Sequence, residues 1–151
     1  MKTALISNPP YNMKWQVPAF AQLQPRFADC YIVPPESNAN YAFILTGLEK
    51  HDRCVFLLPT SIMSSKLKEE REIRTWLIEK NLVEAVIVCP DNMFVSTSIG
   101  TCILLLDKNK KQQQPKWLIC EEDTLKKYVN KMDNMVVIHI QIGHIRKLLK
   151  P

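Results

Sequence analysis

Three continuous apolar runs, helix-period segments between them and one rigid proline turn predict an α/β domain built on a mixed sheet. The runs are Arg53 to Pro59, Val83 to Cys89 and Thr101 to Asp107. Strands that are apolar at nearly every position, instead of alternating, belong to sheets covered on both faces. Strands that alternate with helices form parallel crossover units, and such crossovers are right-handed. The first two runs flank a helical segment and should therefore run parallel. The third follows through the short link Pro90 to Gly100 and can turn back antiparallel.

Each element has its own justification. A short strand over residues 3–7 carries Ala4, Leu5 and Ile6 and ends at the first proline. Residues 12–36 hold Pro18, Pro25, Pro34 and Pro35 and read as a long irregular loop, the kind that is usually functional or disordered. Its aromatics Trp15, Phe20 and Phe27 are equally suited to covering a substrate and to packing a small core of their own. A helix is expected from a Ser37 or Asn38 cap, because Tyr41, Ile44, Leu45 and Leu48 recur at helical spacing. A second, highly charged helix spans about 65–80, with Ile73, Trp76 and Leu77 on one face. The basic, Gln-rich stretch Lys108 to Lys116 is a loop, followed by a short strand over 117–120. A helix near 121–131 and a strand near 136–142 complete the expected order.

The most informative feature is Asn8-Pro9-Pro10-Tyr11, directly behind the first strand. Two consecutive prolines fix φ near −65° and remove two backbone donors, so this turn can join neither a helix nor a ladder. It presents two acceptors, the Asn8 side-chain oxygen and the Pro9 carbonyl, beside one aromatic ring. That set suits a planar base bearing an exocyclic amine: the oxygens accept its two N–H bonds and Tyr11 stacks on the ring, a contact worth roughly 1–3 kcal/mol. The blander reading is an Asn-Pro turn with a surface tyrosine.

This turn resembles the catalytic motif of S-adenosylmethionine-dependent amino-methyltransferases, which act on adenine in DNA, on RNA bases or on protein glutamine. Three further segments narrow the resemblance. Val33 to Phe43, Glu70 to Glu79, and Asp91 to Phe94 with Thr97 to Leu104 are similar, in order, to modification subunits of type I restriction–modification systems, the N-6 adenine-specific DNA methylase family. The resemblance implies a partial Rossmann-like methyltransferase fold, the half carrying the catalytic turn, with an antiparallel last strand. It implies catalytic roles for Asn8, Pro9 and Tyr11, contacts of Pro10, Phe94 and Thr97 with the flipped base or its backbone, and proximity of Asn8 to the methyl donor. Phe94 as core packing is an equal expectation.

The family's donor site is a Gly-rich turn ahead of the catalytic motif. Here the 3 glycines, Gly47, Gly100 and Gly143, stand far apart, so they build no such loop. The chain is therefore expected to be the carboxyl-terminal half of a methyltransferase domain over residues 1–110, with an extension over 111–151 packed on it. On its own it should be inactive. The expected partners are DNA, a complementing half or specificity subunit, and a second copy joined through the exposed first strand. The alternatives are a non-catalytic remnant or assembly module, and a methyltransferase for RNA or protein glutamine.

Composition is compatible with this. At 151 residues and 46% hydrophobic, the chain can bury one core. A net charge of +5 weakly favours a nucleic-acid partner. The 5 cysteines are odd in number and make no CxxC pair, which suits reduced thiols in the cytoplasm. His139 and His144 are five apart, the wrong spacing for one helical face, so no metal site is expected. No apolar run has the length of a leader or a membrane span.

Overall fold

The computed structural model describes residues 3–90, 98–111 and 113–119. Five strands form one sheet in the order β1-β2-β4-β3-β5. They are β1 (Ala4–Ser7), β2 (Arg53–Pro59), β3 (Val83–Val88), β4 (Thr101–Asp107) and β5 (Lys116–Ile119). β1 pairs parallel with β2, and β5 pairs parallel with β3. β4 is antiparallel to both β2 and β3 and lies between them. The expected mixed sheet is present, and its odd strand is the one the short link after β3 allowed to reverse.

The apolar runs form the centre because they have partners on both edges. β2 and β4 pair over their full lengths, from Arg53↔Asp107 to Pro59↔Thr101. The Arg53 guanidinium and the Asp107 carboxylate close that ladder at 3.0 Å. Beyond it, the Thr3 carbonyl accepts from the Asp52 and Arg53 amides, and the Lys108 amide donates to the Asp52 carbonyl. One end of the sheet is thus stapled across three strands.

The helices cover one face. They are α1 (Pro25–Ala28), α2 (Asn40–Lys50), α3 (Ser61–Ser64) and α4 (Lys68–Glu79). Ile44, Leu45 and Leu48 of α2, Ile62 of α3 and Ile73 and Leu77 of α4 join Cys54, Phe56 and Leu58 of β2 and Cys102, Leu104 and Leu106 of β4 in one buried cluster. At Gly47 α2 lies close against the sheet. A Cβ there would stand 2.7 Å from both Leu5 Cδ2 and Phe56 Cζ, so a larger residue would push the helix off β1 and β2.

Several boundaries differ from the sequence reading. α2 starts at Asn40 with Ala39 as its cap, one residue past the expected Asn38, and the Asn38 side chain still accepts the Asn40 amide at 2.9 Å. The charged helix starts at Lys68, and the stretch before it winds separately as α3. Arg74 explains the break: its guanidinium donates to the Ile62 carbonyl at 3.1 Å and the Ser65 carbonyl at 2.7 Å, drawing both out of a continuous helix. The irregular stretch 12–36 contains a turn of 3-10 helix at Ala21–Leu23 and the short α1. Of its aromatics, Phe27 is buried in the core, Trp15 packs against that core, and Phe20 is 74% exposed. The helix and strand expected after residue 120 lie outside the described residues, as do Phe94 and Thr97.

The candidate catalytic turn and its support

β1 delivers the turn to the carboxyl end of the parallel strands, which is where open α/β sheets bind their ligands. Ser7 still pairs with Phe56 of β2, and the ladder stops there because Pro9 and Pro10 have no N–H to offer. Pro9 is buried, whereas Asn8 and Pro10 are exposed and Tyr11 is half-buried. The rigid side of the turn therefore faces the protein and Asn8 faces outward.

The Tyr11 hydroxyl donates to Asn8 Oδ1 at 3.0 Å. Burial pushes the Tyr11 phenol up to about 12, and the neighbouring Cys89 and Cys102 thiols add to that effect. Cys102 lies at the start of β4 and Cys89 just beyond β3, at the same end of the sheet as the turn. Burial also raises the Cys102 thiol to about 12. Both groups are neutral at physiological pH.

The structure adds supporting residues that the sequence reading passed over. Asn12 follows the turn with φ 50, a left-handed conformation that asparagine tolerates better than most residues. Its amide donates to Asn40 Oδ1 at 3.0 Å, and its side-chain oxygen accepts from Asn40 Nδ2 at 3.0 Å. The Ala39 amide donates to the Met13 carbonyl at 2.8 Å, and the Trp15 amide to the Glu36 carbonyl at 3.0 Å. The Trp15 indole reaches the Pro35 carbonyl at 2.9 Å. Residues 35–40 thus zip onto residues 12–15. A signal for Asn40 was present: it falls in phase with Ile44 and Leu48 on the apolar stripe of α2, where a polar residue requires a reason.

Beside the turn, the segment after β2 is held by the Thr60 amide, which donates to the Gly100 carbonyl at 2.9 Å. The Tyr41 hydroxyl donates to the Ile62 carbonyl at 2.6 Å, the oxygen that Arg74 also uses. Ser98 and Ile99 are exposed on the approach to β4. Neither described glycine forms a nucleotide cradle, since Gly47 is buried beneath Leu5 and Phe56, and a Cβ on Gly100 would meet Thr60. Among the described residues no group of His, Cys, Asp and Glu could hold a metal ion. Nor is any described helix long and apolar enough to cross a membrane.

Comparison with known proteins accords with this geometry. The family model for N-6 DNA methylase matches residues 1–148. The type I restriction enzyme MpnII methylase subunit of Mycoplasma pneumoniae is 36% identical over 121 residues, covering 76% of this chain and 22% of its own length. The HindI methylase subunit of Haemophilus influenzae is 35% identical over 113 residues, covering 72% of this chain and 25% of its own. This chain thus spans about a quarter or less of those two relatives. Among solved structures, the type I restriction–modification methyltransferase subunit of Streptococcus thermophilus superposes with a TM-score of 0.73 at 26% identity, over 93% of this chain and 30% of that one. The EcoKI M protein shares the fold at a TM-score of 0.51 and 19% identity, over 71% of this chain and 21% of its own. The mixed sheet is therefore a partial methyltransferase fold, and the chain belongs to the N-6 DNA methylase family.

Proposed function

We propose that this chain supplies the amine-activating half of a DNA adenine methyltransferase, with S-adenosylmethionine as methyl donor. The observation that carries the reading is the Asn8-Pro9-Pro10-Tyr11 turn, with Asn8 exposed at the carboxyl end of β1 and Tyr11 seated beside it. An adenine amine is a poor nucleophile because its lone pair is delocalised into the ring. When Asn8 Oδ1 and the Pro9 carbonyl accept hydrogen bonds from its two N–H groups, the nitrogen becomes more tetrahedral and its lone pair becomes available for in-line attack on the donor's sulfonium methyl. The N–C bond would form as the C–S bond breaks, with a neutral thioether leaving and the methylated amine releasing one proton to water. The contribution is positioning and preorganised polarity, without a strong base.

The amine is out of reach inside a duplex, so the base is flipped out and stacked on Tyr11. On entry it takes Asn8 Oδ1 from the Tyr11 hydroxyl. Pro10 is exposed beside Asn8 and lines the same approach, and Phe94 and Thr97 belong to this reading as further contacts with base or backbone. Asn8 is also the site residue nearest the incoming methyl. The described glycines do not fit a donor site, so the donor is held by a complementing methyltransferase portion, in the cytoplasm, within an assembly that includes a specificity subunit. The isolated chain is expected to bind S-adenosylmethionine feebly, and calorimetry showing micromolar binding would overturn this division of labour.

The direct test mixes the chain with the part of the Mycoplasma pneumoniae methylase subunit that lies outside its matching segment, and follows methyl transfer to adenine in DNA. Asn8→Ala is expected to lower the rate by about 10²–10³, the usual effect of deleting one preorganised polar group. Transfer that is normal in Asn8→Ala would remove the proposed role of the turn, and a non-catalytic assembly module would then be the better reading.

The exposed edge of β1 also fits a second copy. Ile6 is 51% exposed and Leu5 half-buried, and among the described residues β1 is paired on one edge only. Light scattering should report a dimer above micromolar concentration that Ile6→Lys dissociates. A wild-type chain that stays monomeric there would count against self-association.

A further inference from the structure

We propose that Asn40 is a positioning residue for the catalytic turn, setting Asn12 and through it the orientation of Asn8 and Tyr11. This rests on the reading of that turn as the amine-activating element. Asn40 is 0% exposed, and a buried amide left without partners would cost several kcal/mol by transfer estimates of about 2–7 kcal/mol. Its side chain bonds to Asn12 twice: Oδ1 accepts the Asn12 amide and Nδ2 donates to the Asn12 side-chain oxygen, both at 3.0 Å. Two bonds between facing amides fix distance and plane together. The Asn40 backbone amide is itself taken by Asn38 Oδ1 at 2.9 Å, so the first turn of α2 is held on both sides.

The anchor is placed where it can act. Ser7 is pinned by the β1–β2 ladder and residues 12 and 13 by Asn40 and Ala39, so the turn is clamped at both ends. Between the clamps, Pro9 and Pro10 have locked φ angles, which leaves few soft dihedrals to absorb a displacement. Asn12 holds a backbone conformation with φ 50 that costs on the order of 1–3 kcal/mol without support. Releasing the pairing lets Asn12 relax towards negative φ, and this moves Tyr11 from its half-buried position and its bond to Asn8. Misplacement of a reacting group by about 1 Å can cost about 10²-fold in rate.

The test uses the full chain and two kinds of readout. In Asn40→Ala, exchange of the Asn12 amide proton should quicken by about tenfold or more as its bond is lost. The Tyr11 phenol, assigned by comparison with Tyr11→Phe, should titrate closer to its ordinary value while β4 amides stay protected. If Asn40→Ala does not fold, Asn40→Leu carries the test, because leucine fills the buried volume on the apolar stripe of α2 while removing both bonds to Asn12. Unchanged Asn12 exchange and Tyr11 titration would overturn the proposal. In the complemented methyl-transfer assay, Asn40→Ala should lower kcat by about tenfold or more with the KM for the donor unchanged, as expected of misplacement at the turn. Equal kcat also overturns it. Absence of transfer by the wild-type mixture, with the local readouts shifted as expected, sinks the functional reading and leaves Asn40 as the residue that sets the turn.

Discussion

β1 and β4 have similar sequences and opposite fates. Ala4-Leu5-Ile6-Ser7 and Thr101-Cys102-Ile103-Leu104-Leu105-Leu106 are both short apolar stretches, yet Ile6 is 51% exposed and Leu104 4%. Apolar character does not separate them; position in the sheet does. β4 has a strand on either side and pairs with β2 along its entire length, whereas β1 has one partner and a free edge among the described residues. A residue's contribution to stability should therefore follow strand order, not hydropathy.

The sharpest way to break that comparison is a pair of truncations. Leu104→Ala should cost about 2–5 kcal/mol in denaturant unfolding, since the centre of the sheet cannot collapse around the hole. Ile6→Ala should cost less than about 1 kcal/mol, because about half of that residue stays in water. Equal losses would mean that β1 is covered as completely as β4.

A smaller effect probes the junction between the two regions. Gly47→Ala places a methyl group 2.7 Å from Leu5 Cδ2 and Phe56 Cζ. Overpacking of about 1–3 kcal/mol should outweigh the roughly 1 kcal/mol that alanine gains over glycine inside a helix. A stabilised variant would show that α2 rides freely over β1.

Alkali distinguishes the regions chemically. Tyr11, Cys54 and Cys102 all have raised folded-state values, to about 12, 11 and 12, from ordinary values of 10, 9 and 9. Burial is the leading cause for each. Groups raised in this way add stability in full below their unfolded values and lose it as pH climbs through the folded ones. The urea midpoint should hold to about pH 9 and decline between about 9 and 12, more shallowly in Cys102→Ala after allowing for its lower starting stability. A flat profile would show that the seat of Tyr11 is open to water. The smallest expected effect is that of Tyr11→Phe. Removing the hydroxyl bond to exposed Asn8 should alter stability by no more than about 0.5–1.5 kcal/mol, and base stacking should persist.

How much of this was legible in the sequence follows the same division. β2, β3 and β4 were readable to within a residue because unbroken apolar runs have few other interpretations, and the short link before Thr101 left β4 able to reverse, as the family resemblance implied. The start of the charged helix was less readable. Arg74 captures the Ile62 and Ser65 carbonyls from a distance that no local pattern encodes. The proline turn announced itself through its sequence, but its support did not. Asn12 and Asn40 are 28 residues apart in the chain, and their pairing exists only once α2 has docked.

The placement of β4 also bears on how the chain is made. β2 and β3 run in the same direction with a slot one strand wide between them, and the strand that fills it is the last of the three to be synthesised. At about 5–20 residues per second, the edge of β2 waits on the order of seconds for residue 107 to leave the ribosome. Over that interval two apolar strand edges stand unpaired on a nascent chain. For this fold the hazardous moment comes during translation, and codons that slow the ribosome between β2 and β4 would lengthen it.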